Sequence, residues 1–523
     1  MMKNNNFEHI PQEKFAFVQM ESRLHDTKLE TKARSYFADA MLRFRKNKSS
    51  VIAAWILLFL LLFSFFSPII SAYSVDHKDT IYINYPAYMP GIAKMDIGIL
   101  DGGFELTSQN ETSMNYWRGI AIETGMDPLL KIKETQKELV KVRGKMVERN
   151  TYTIEVNRYF QPGIVYRTLS VEAFNKIQDW QNETGIQVIY PYVETKDICD
   201  ISDNPNIWYE CDNKGAAKLD SDGNFVPVYS QRAEIEGAPY YSQRPEIEGA
   251  PYYSQRVEGD PGTYIYSVAK SGAVQARVCY YNYYQYINGM EPQYLFGTDA
   301  LGRDLFAAIG KGARFSILFA VLVSTINLTI GAFYGAVQGY YGGWVDMVMD
   351  RIADILYDIP FVVVATLFQL HLAQKVGVVP SFLFAFVLTG WIGMAALTRK
   401  QFYRFKSQEF VMAARTLGAS DGRLMFKHIF PNGLGTIITS CALIIPGTIS
   451  SETNMTYLGI VDLNSFAGAT LGGLLSSGQA SMTTAPHAMF WPSLFFALLM
   501  ISFNLFGNGL RDAFNPSTRG AED

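Results

Sequence analysis

The sequence predicts an all-α membrane protein of six transmembrane helices, with an extracellular α+β domain inserted between the first and the second. Three observations carry this. Six apolar runs have the roughly 17–25 residues needed to cross about 30 Å of hydrocarbon, one near the N-terminus and five after residue 314. Residues 73–290 contain no such run and are acidic, with 21 Lys/Arg against 29 Asp/Glu. Basic residues are also distributed asymmetrically: residues 398–431 hold seven Lys/Arg and residues 450–490 hold none, which orients the chain across a bilayer. Of the 523 residues 49% are hydrophobic and 18% charged, which excludes disorder, collagen and a disulfide-stapled secreted scaffold. A net charge of -4 gives no argument for a nucleic-acid partner.

Residues 1–50 read as a cytoplasmic segment with ten Lys/Arg against six Asp/Glu, and Arg43, Arg45, Lys46 and Lys48 stand directly before the first apolar run. A polar lead of that length before about 22 apolar residues does not match a cleaved secretory signal, so residues 51–72 are expected to be an uncleaved first span. Lys28–Arg45 mixes Ala, Met, Leu and Phe with basic residues at helical spacing. It reads either as an amphipathic helix along the membrane surface or as a solvated basic helix.

With the N-terminus inside, residues 73–290 lie outside the cell. They hold 23 of the 31 tyrosines. Alternating stretches, TYTIEV at 151–156 and QVIYPYV at 187–193, predict strands, and Ser170 followed by Glu172 predicts a helix start. A 12-residue unit, YSQRAEIEGAPY, repeats in tandem across 229–262, either as repeated turns or as a recent duplication in a tolerant loop. Cys199 and Cys211 are 12 residues apart in a compartment that permits oxidation. They either form a disulfide, for which chain entropy gives about 3 kcal/mol, or stay free. The cysteines and the six scattered histidines offer no tetrahedral zinc set, so no metal site is expected. Tyr280, Tyr281, Tyr283, Tyr284 and Tyr286 read as an outer aromatic belt or as a surface facing peptide or receptor.

Residues 291–510 form the membrane core, with spans expected at 315–338, 352–372, 378–397, 434–449 and 491–508, followed by a cytoplasmic tail at 511–523. Asp350, Arg351, Asp354 and Asp358 recur at the start of the third span. They read either as a pore-facing stripe or, for Asp350 and Asp354, as carboxylates at the cytoplasmic interface paired with Arg351; Asp358, one turn deeper, is the better pathway or gate candidate. Glu452 near the outer end of the fifth span is the second such candidate, against the alternative of a solvated loop edge. Residues 408–431, QEFVMAARTLGASDGRLMFKHIFP, predict two short helices about a tight turn. Ala413 and Ala414 lie on the first helix, Gly418 stops it in a left-handed conformation, Ser420 caps the second and Pro431 ends it.

That segment resembles the EAA loop of binding-protein-dependent ABC importer permeases, in the form carried by the oligopeptide and dipeptide C-type subunits. The resemblance covers residues 30–72 and 294–517 through an ordered set of motifs: FGTDALGRDLF (296–306), GARFSIL (312–318), DRIADILYDIP (350–360), GWIGMAALTRKQ (390–401), the EAA-like loop, SETNMTYLGI (451–460) and NLFGNGLRDAFNPS (504–517). Met412, His428 and Phe430 depart from the general EAA pattern, and Ala396 stands where a basic residue is expected. The resemblance implies a type I importer permease fold in a bacterial cell membrane, with both termini cytoplasmic. It implies a heterodimer with a B-type permease, two ATPase subunits, one of which docks on Glu409, Ala413, Ala414, Arg415, Gly418, Ala419 and Pro431, and an extracellular lipoprotein that delivers oligopeptides or dipeptides. Nickel, a glycoside, or a receptor or adhesion role for a merely anchored outer domain are the alternatives. The residues around Gly310–Gly312 lack Walker A spacing, and no nucleophile elbow or HExxH occurs. The chain is therefore expected to be non-catalytic and without a cofactor of its own, with ATP and Mg bound by the partner subunits.

Overall fold

The computed structural model describes residues 36–95, 97–142, 145–190, 198–199, 204–228 and 266–514. The tandem repeats at 229–262, residues 1–35 and the tail beyond 514 lie outside them.

The chain enters through α1 (Tyr36–Lys46) and α2 (Lys48–Ile70), joined at Asn47, whose side chain accepts from the Ser50 amide. The described part of the expected surface helix packs inward. Ala40 and Phe44 are buried, and Phe44 meets Phe506 edge-on at 5.6 Å.

The insert stands on a stem of two segments. Tyr88 and Tyr294 exchange both backbone hydrogen bonds (2.8 and 2.7 Å), the Asn84 amide donates to the Asp299 carbonyl (3.1 Å), and the Asp79 amide donates to the Gly302 carbonyl (3.0 Å). Gly302 has φ +70°, and a Cβ there would collide with the Asp79 backbone. The FGTDALGRDLF motif makes this stem. The Asp299 carboxylate accepts from the Leu301 and Arg303 amides and from Arg303 Nε at 2.7 Å. Asp304 caps the next helix through the Phe306 amide and accepts from Ser71 Oγ at 2.5 Å, so the end of α2, the stem and the second span meet at one point.

Beyond a one-turn helix α3 (Pro90–Ala93), β1 (Gly103–Gln109) and β2 (Leu129–Val142) flank β3 (Lys145–Asn157) in an antiparallel sheet. Helix α4 (Glu111–Thr124) covers it with Met114, Trp117 and Ile120 against Ile154 and Val156. A second sheet is built from β4 (Ile164–Leu169), β5 (Ile189–Tyr190), β9 (Ser267–Lys270) and β10 (Ala273–Cys279), and α5 (Val171–Thr184) packs on it through Phe174 and Ile177. Ser170 caps α5 as expected, accepting from the Ala173 amide at 3.1 Å. A small sheet of β6 (Ile198–Cys199), β7 (Trp208–Glu210) and β8 (Pro227–Val228) carries the Cys199–Cys211 disulfide, with Cα atoms 5.5 Å apart. The TYTIEV strand is part of β3. Of QVIYPYV only Ile189–Tyr190 is strand among the described residues.

The expectation of an outer aromatic belt is corrected. Strand β10 runs directly into α6 (Tyr280–Asn288), and Tyr280, Tyr281 and Tyr284 are buried in a core shared with Tyr73, Tyr82, Tyr85, Tyr88, Tyr159 and Tyr294. Tyr283 and Tyr286 pack against the neighbouring cluster instead of facing outward. Tyrosine suits this site because the buried hydroxyls find partners: Tyr284 with Tyr294 at 2.8 Å, Tyr88 with Tyr281 at 3.2 Å, and Tyr280 donating to Asp79 at 2.8 Å. The free thiol of Cys279 lies in the same core, where burial pushes it up to about 12. Arg277 and Glu123, both fully buried, form a two-pronged ion pair at 2.9 and 2.7 Å that ties β10 to α4, with the guanidinium 4.9 Å from the Trp208 ring.

The membrane part starts with α7 (Leu305–Tyr341), which contains the expected second span. Where the third span is expected, α8 (Gly343–Tyr357) and α9 (Phe361–His371) are bent by 72° at the break between them. Pro360 lacks an amide hydrogen and disfavours helical backbone at the residue before it. Then follow α10 (Ala373–Val376), α11 (Val378–Gly390), α12 (Ile392–Phe405), α13 (Glu409–Thr416) and α14 (Asp421–Arg423). A π-helical turn at Leu424–Ile429 leads into α15 (Phe430–Tyr457), followed by α16 (Asn464–Ala467), α17 (Leu471–Ala480) and α18 (Pro486–Phe514). Among the described residues five helical stretches are long and apolar enough to cross a membrane, or six if the bent pair is one span. Gly331, Gly335 and Gly339 form a seam on α7 where any Cβ would strike Trp391, Ala395, Arg399 or Phe402 of the α12 region. Small residues at four-residue spacing let these two backbones approach closely.

Candidate coupling site

Helix α12 ends beside α7, where Lys406 Nζ donates to the Gly339 carbonyl at 3.0 Å. The chain turns at Gln408, and α13 lays Val411 into a pocket made by Ala336, Tyr340, Phe402, Leu424, Met425 and Ile429. Ala414 and Ala419 pack against the same cluster, half-buried. Gly418 has φ +82°, its amide donates to the Arg415 carbonyl (2.9 Å), and the Ala419 amide donates to the Ala414 carbonyl (3.1 Å). This is the left-handed stop that a glycine makes at low cost. Glu409, Ala413, Arg415 and Gly418 face solvent.

Two parts of the expectation change. Ser420 occupies the cap position before α14 without a side-chain capping bond. Pro431 does not end a helix: it sits in the first turn of α15, where its missing amide hydrogen costs nothing, and the chain continues as helix to Tyr457.

Pattern reading missed two features. The first is an exposed apolar surface of Phe410, Met412 and Leu417, the last 88% exposed, which a soluble loop of small residues would not carry. Its signal was the apolar residues at those positions between charged ones. The second is the anchor: Tyr340 at the end of α7 donates to Asp421 Oδ1 at 2.5 Å and accepts from Arg415 Nη2 at 3.3 Å.

Next to this anchor, Arg399 on α12 bridges α8. Its guanidinium reaches Asp346 Oδ2 (2.5 Å) and Asp350 Oδ1 (2.9 Å), while Tyr403 donates to Asp346 at 2.6 Å. The expected pairing of Asp350 with Arg351 is corrected: Arg351 pairs with Asp354 at 3.1 Å, and Asp350 with Arg399. Asp358 lies exposed at the bend between α8 and α9. Glu452 is fully buried within α15, with Thr453 Oγ1 3.3 Å from its carboxylate, so it is not a solvated loop edge. The two are placed on separate elements. No cluster of three or more metal-ligating side chains occurs among the described residues.

Residues 327–520, which contain this site, match the binding-protein-dependent transport system inner membrane component family, and residues 35–90 match the N-terminal TM domain of oligopeptide transport permease C. The chain is similar to the oligopeptide transport system permease protein OppC of Bacillus subtilis, 38% identical over 224 residues, which are 43% of this chain and 72% of that protein. It is similar to the dipeptide transport system permease protein DppC of the same organism, 36% identical over 43% of this chain and 69% of that one. It is also similar to the glutathione transport system permease protein GsiD of Salmonella paratyphi A, 32% identical over 46% of this chain and 78% of that one. The chain therefore belongs to the binding-protein-dependent transport system inner membrane component family, among the oligopeptide and dipeptide transport permeases of the C type.

Proposed function

We propose that this chain is one of two membrane subunits of a bacterial importer for oligopeptides or dipeptides, forming half of the translocation pathway. The observation that carries this reading is the α13 to α14 hairpin. It is a compact unit with a left-handed glycine turn and exposed Phe410, Met412 and Leu417, fixed to the long helix α7 through Tyr340 and lying inside the family match. An apolar surface on a rigid hairpin suits a hydrophobic groove on a partner. That partner is an ATP-hydrolysing subunit, which supplies ATP and Mg; a B-type permease completes the pathway, and an external lipoprotein delivers the peptide. Both termini and the hairpin then face the cytoplasm, and the insert faces outward, in agreement with the basic residues at 398–431 and their lack at 450–490. Asp358 and Glu452 stay as pathway or gate candidates. The relatives' names, which cover oligopeptides, dipeptides and glutathione, support a peptide-like substrate.

The test is uptake of a radiolabelled tripeptide in cells with and without this gene, together with co-purification of ATPase subunits on the tagged chain. Gene-dependent uptake and ATPase recovery are expected. Recovery of ATPase subunits without any peptide uptake would move the substrate to another class, and recovery of none would end the reading.

A further inference from the structure

The insert contains a cavity of about 500 Å³ between the stem, α6 and the base of the β2–β3 hairpin, a volume in the range that holds drug-sized ligands. Its floor is aromatic and fixed. Tyr88 and Tyr281 share a hydroxyl contact at 3.2 Å, and Phe160 stands edge-on to Tyr281 at 5.0 Å. Its wall carries three carboxamides, Asn157, Asn282 and Gln285. The Asn157 oxygen already accepts from the Tyr159 amide at 2.9 Å, so the Asn282 oxygen and the Gln285 amide are the groups that can meet a peptide bond. Asn282 is held in place by donating to the Gln187 carbonyl at 2.6 Å.

The mouth carries both signs of charge. Lys94 and Glu291 meet there at 3.4 Å, with side chains 72% and 34% exposed, and Asp101 lies in the same lining. An exposed pair of this kind contributes little to stability, so it can open. The free ends of an extended tripeptide lie up to ~10 Å apart, a span the two groups reach once the exposed Lys94 side chain swings away from Glu291. The apolar side of the mouth is also open: Leu130 lines it at 43% exposure, with Met126 and Ile186 in the same lining. A cation, carboxylates, amide groups, an aromatic floor and an apolar rim complement a carboxylate terminus, an ammonium terminus, peptide bonds and an apolar side chain.

We propose that this cavity binds a short peptide with both termini free, Lys94 taking the C-terminal carboxylate and Glu291 the N-terminal ammonium, so that the insert is itself a peptide-binding domain. The proposal rests on the peptide reading of the permease. The experiment is titration of the purified full-length chain in nanodiscs with trileucine, N-acetyl-trileucine and trileucine amide. Blocking either terminus weakens binding by about tenfold or more, the size of one lost charge-assisted hydrogen bond. Lys94→Met removes the preference for the free carboxylate and keeps that for the free amine; Glu291→Gln does the reverse. Neither residue is buried in the core, so both variants keep the wild-type melting temperature of the insert. Absence of saturable trileucine binding by the folded chain, or unchanged discrimination in both variants, overturns the proposal. Gene-dependent peptide uptake in cells without trileucine binding by the chain would sink the cavity and leave the importer reading intact. Trileucine binding without uptake would do the opposite.

Discussion

The hydroxyl of Tyr340 is held between Asp421, to which it donates at 2.5 Å, and Arg415, from which it accepts at 3.3 Å. One phenol thus joins the end of a 37-residue membrane helix to both halves of the α13–α14 hairpin. Val411 and the apolar cluster around it hold the same hairpin by burial. Packing fixes where the hairpin sits, and the phenol fixes its orientation.

Tyr340→Phe removes the hydroxyl and leaves the ring. A hydrogen bond to a charged group contributes about 1.5–3 kcal/mol, so the variant should assemble but with a looser hairpin. ATP hydrolysis of the reconstituted complex should stay near its basal rate and lose most of its stimulation by loaded binding protein. Full stimulation would show that the apolar cluster alone transmits the movement.

Gly418→Val should insert and accumulate normally while losing the ATPase subunits on co-purification. A Cβ at Gly418 meets nothing within 4 Å in this chain, so crowding inside the subunit is not the cause. The cause is the backbone, since φ +82° costs an L-residue about 1–2 kcal/mol. Gly418→Asn, which tolerates that conformation, should recover part of the coupling. Equal failure of both variants would move the effect to the partner's groove.

Glu123→Ala leaves the Arg277 guanidinium charged and fully buried, which should destabilise the insert by about 3–5 kcal/mol, read as a lower melting temperature. The double variant Glu123→Leu with Arg277→Met should melt closer to the wild type than the single one, because no unpaired charge remains. A double variant no more stable than Glu123→Ala would show that the pair is needed for more than charge balance.

Cys279 is buried with its thiol raised to about 12 from an ordinary 9.0, so it should resist Ellman's reagent at pH 8 until the insert unfolds. Because the folded value lies above the unfolded one, its contribution to stability is complete below about pH 9 and is lost as pH rises towards 12. Stability measured by denaturant titration should fall across that window, and Cys279→Ala should lessen the fall between about pH 9 and 10, above which the buried tyrosines of the same core, raised from 10.0 by desolvation, add their own. Reaction of native protein with the reagent at pH 8 would contradict the burial.

The membrane spans were legible because an apolar run of that length has few other uses, and the glycine turn because a left-handed residue leaves a mark in the sequence. The bend in the third span was not read, although Pro360 marks it, because the apolar content on either side of it adds up to one span. The tyrosines of α6 were misread because their burial depends on partners far along the chain, Asp79 and Tyr88, which no local pattern reveals. The same holds for Arg399 with Asp346 and for Tyr340 with Asp421, pairs separated by 53 and 81 residues.

The stem makes the insert a lever. Its two segments run directly into the ends of α2 and α7, joined where Ser71 meets Asp304, so a tilt of either helix should turn the whole insert. The β2–β3 ribbon, with 14 and 13 residues in its strands, is about 45 Å long at roughly 3.3 Å per residue. A rotation of about 5° at its base therefore carries its tip some ~4 Å, by the same rise per residue. A movement too small to resolve at the membrane would be large there, and a pair of fluorophores placed between ribbon and stem would record it.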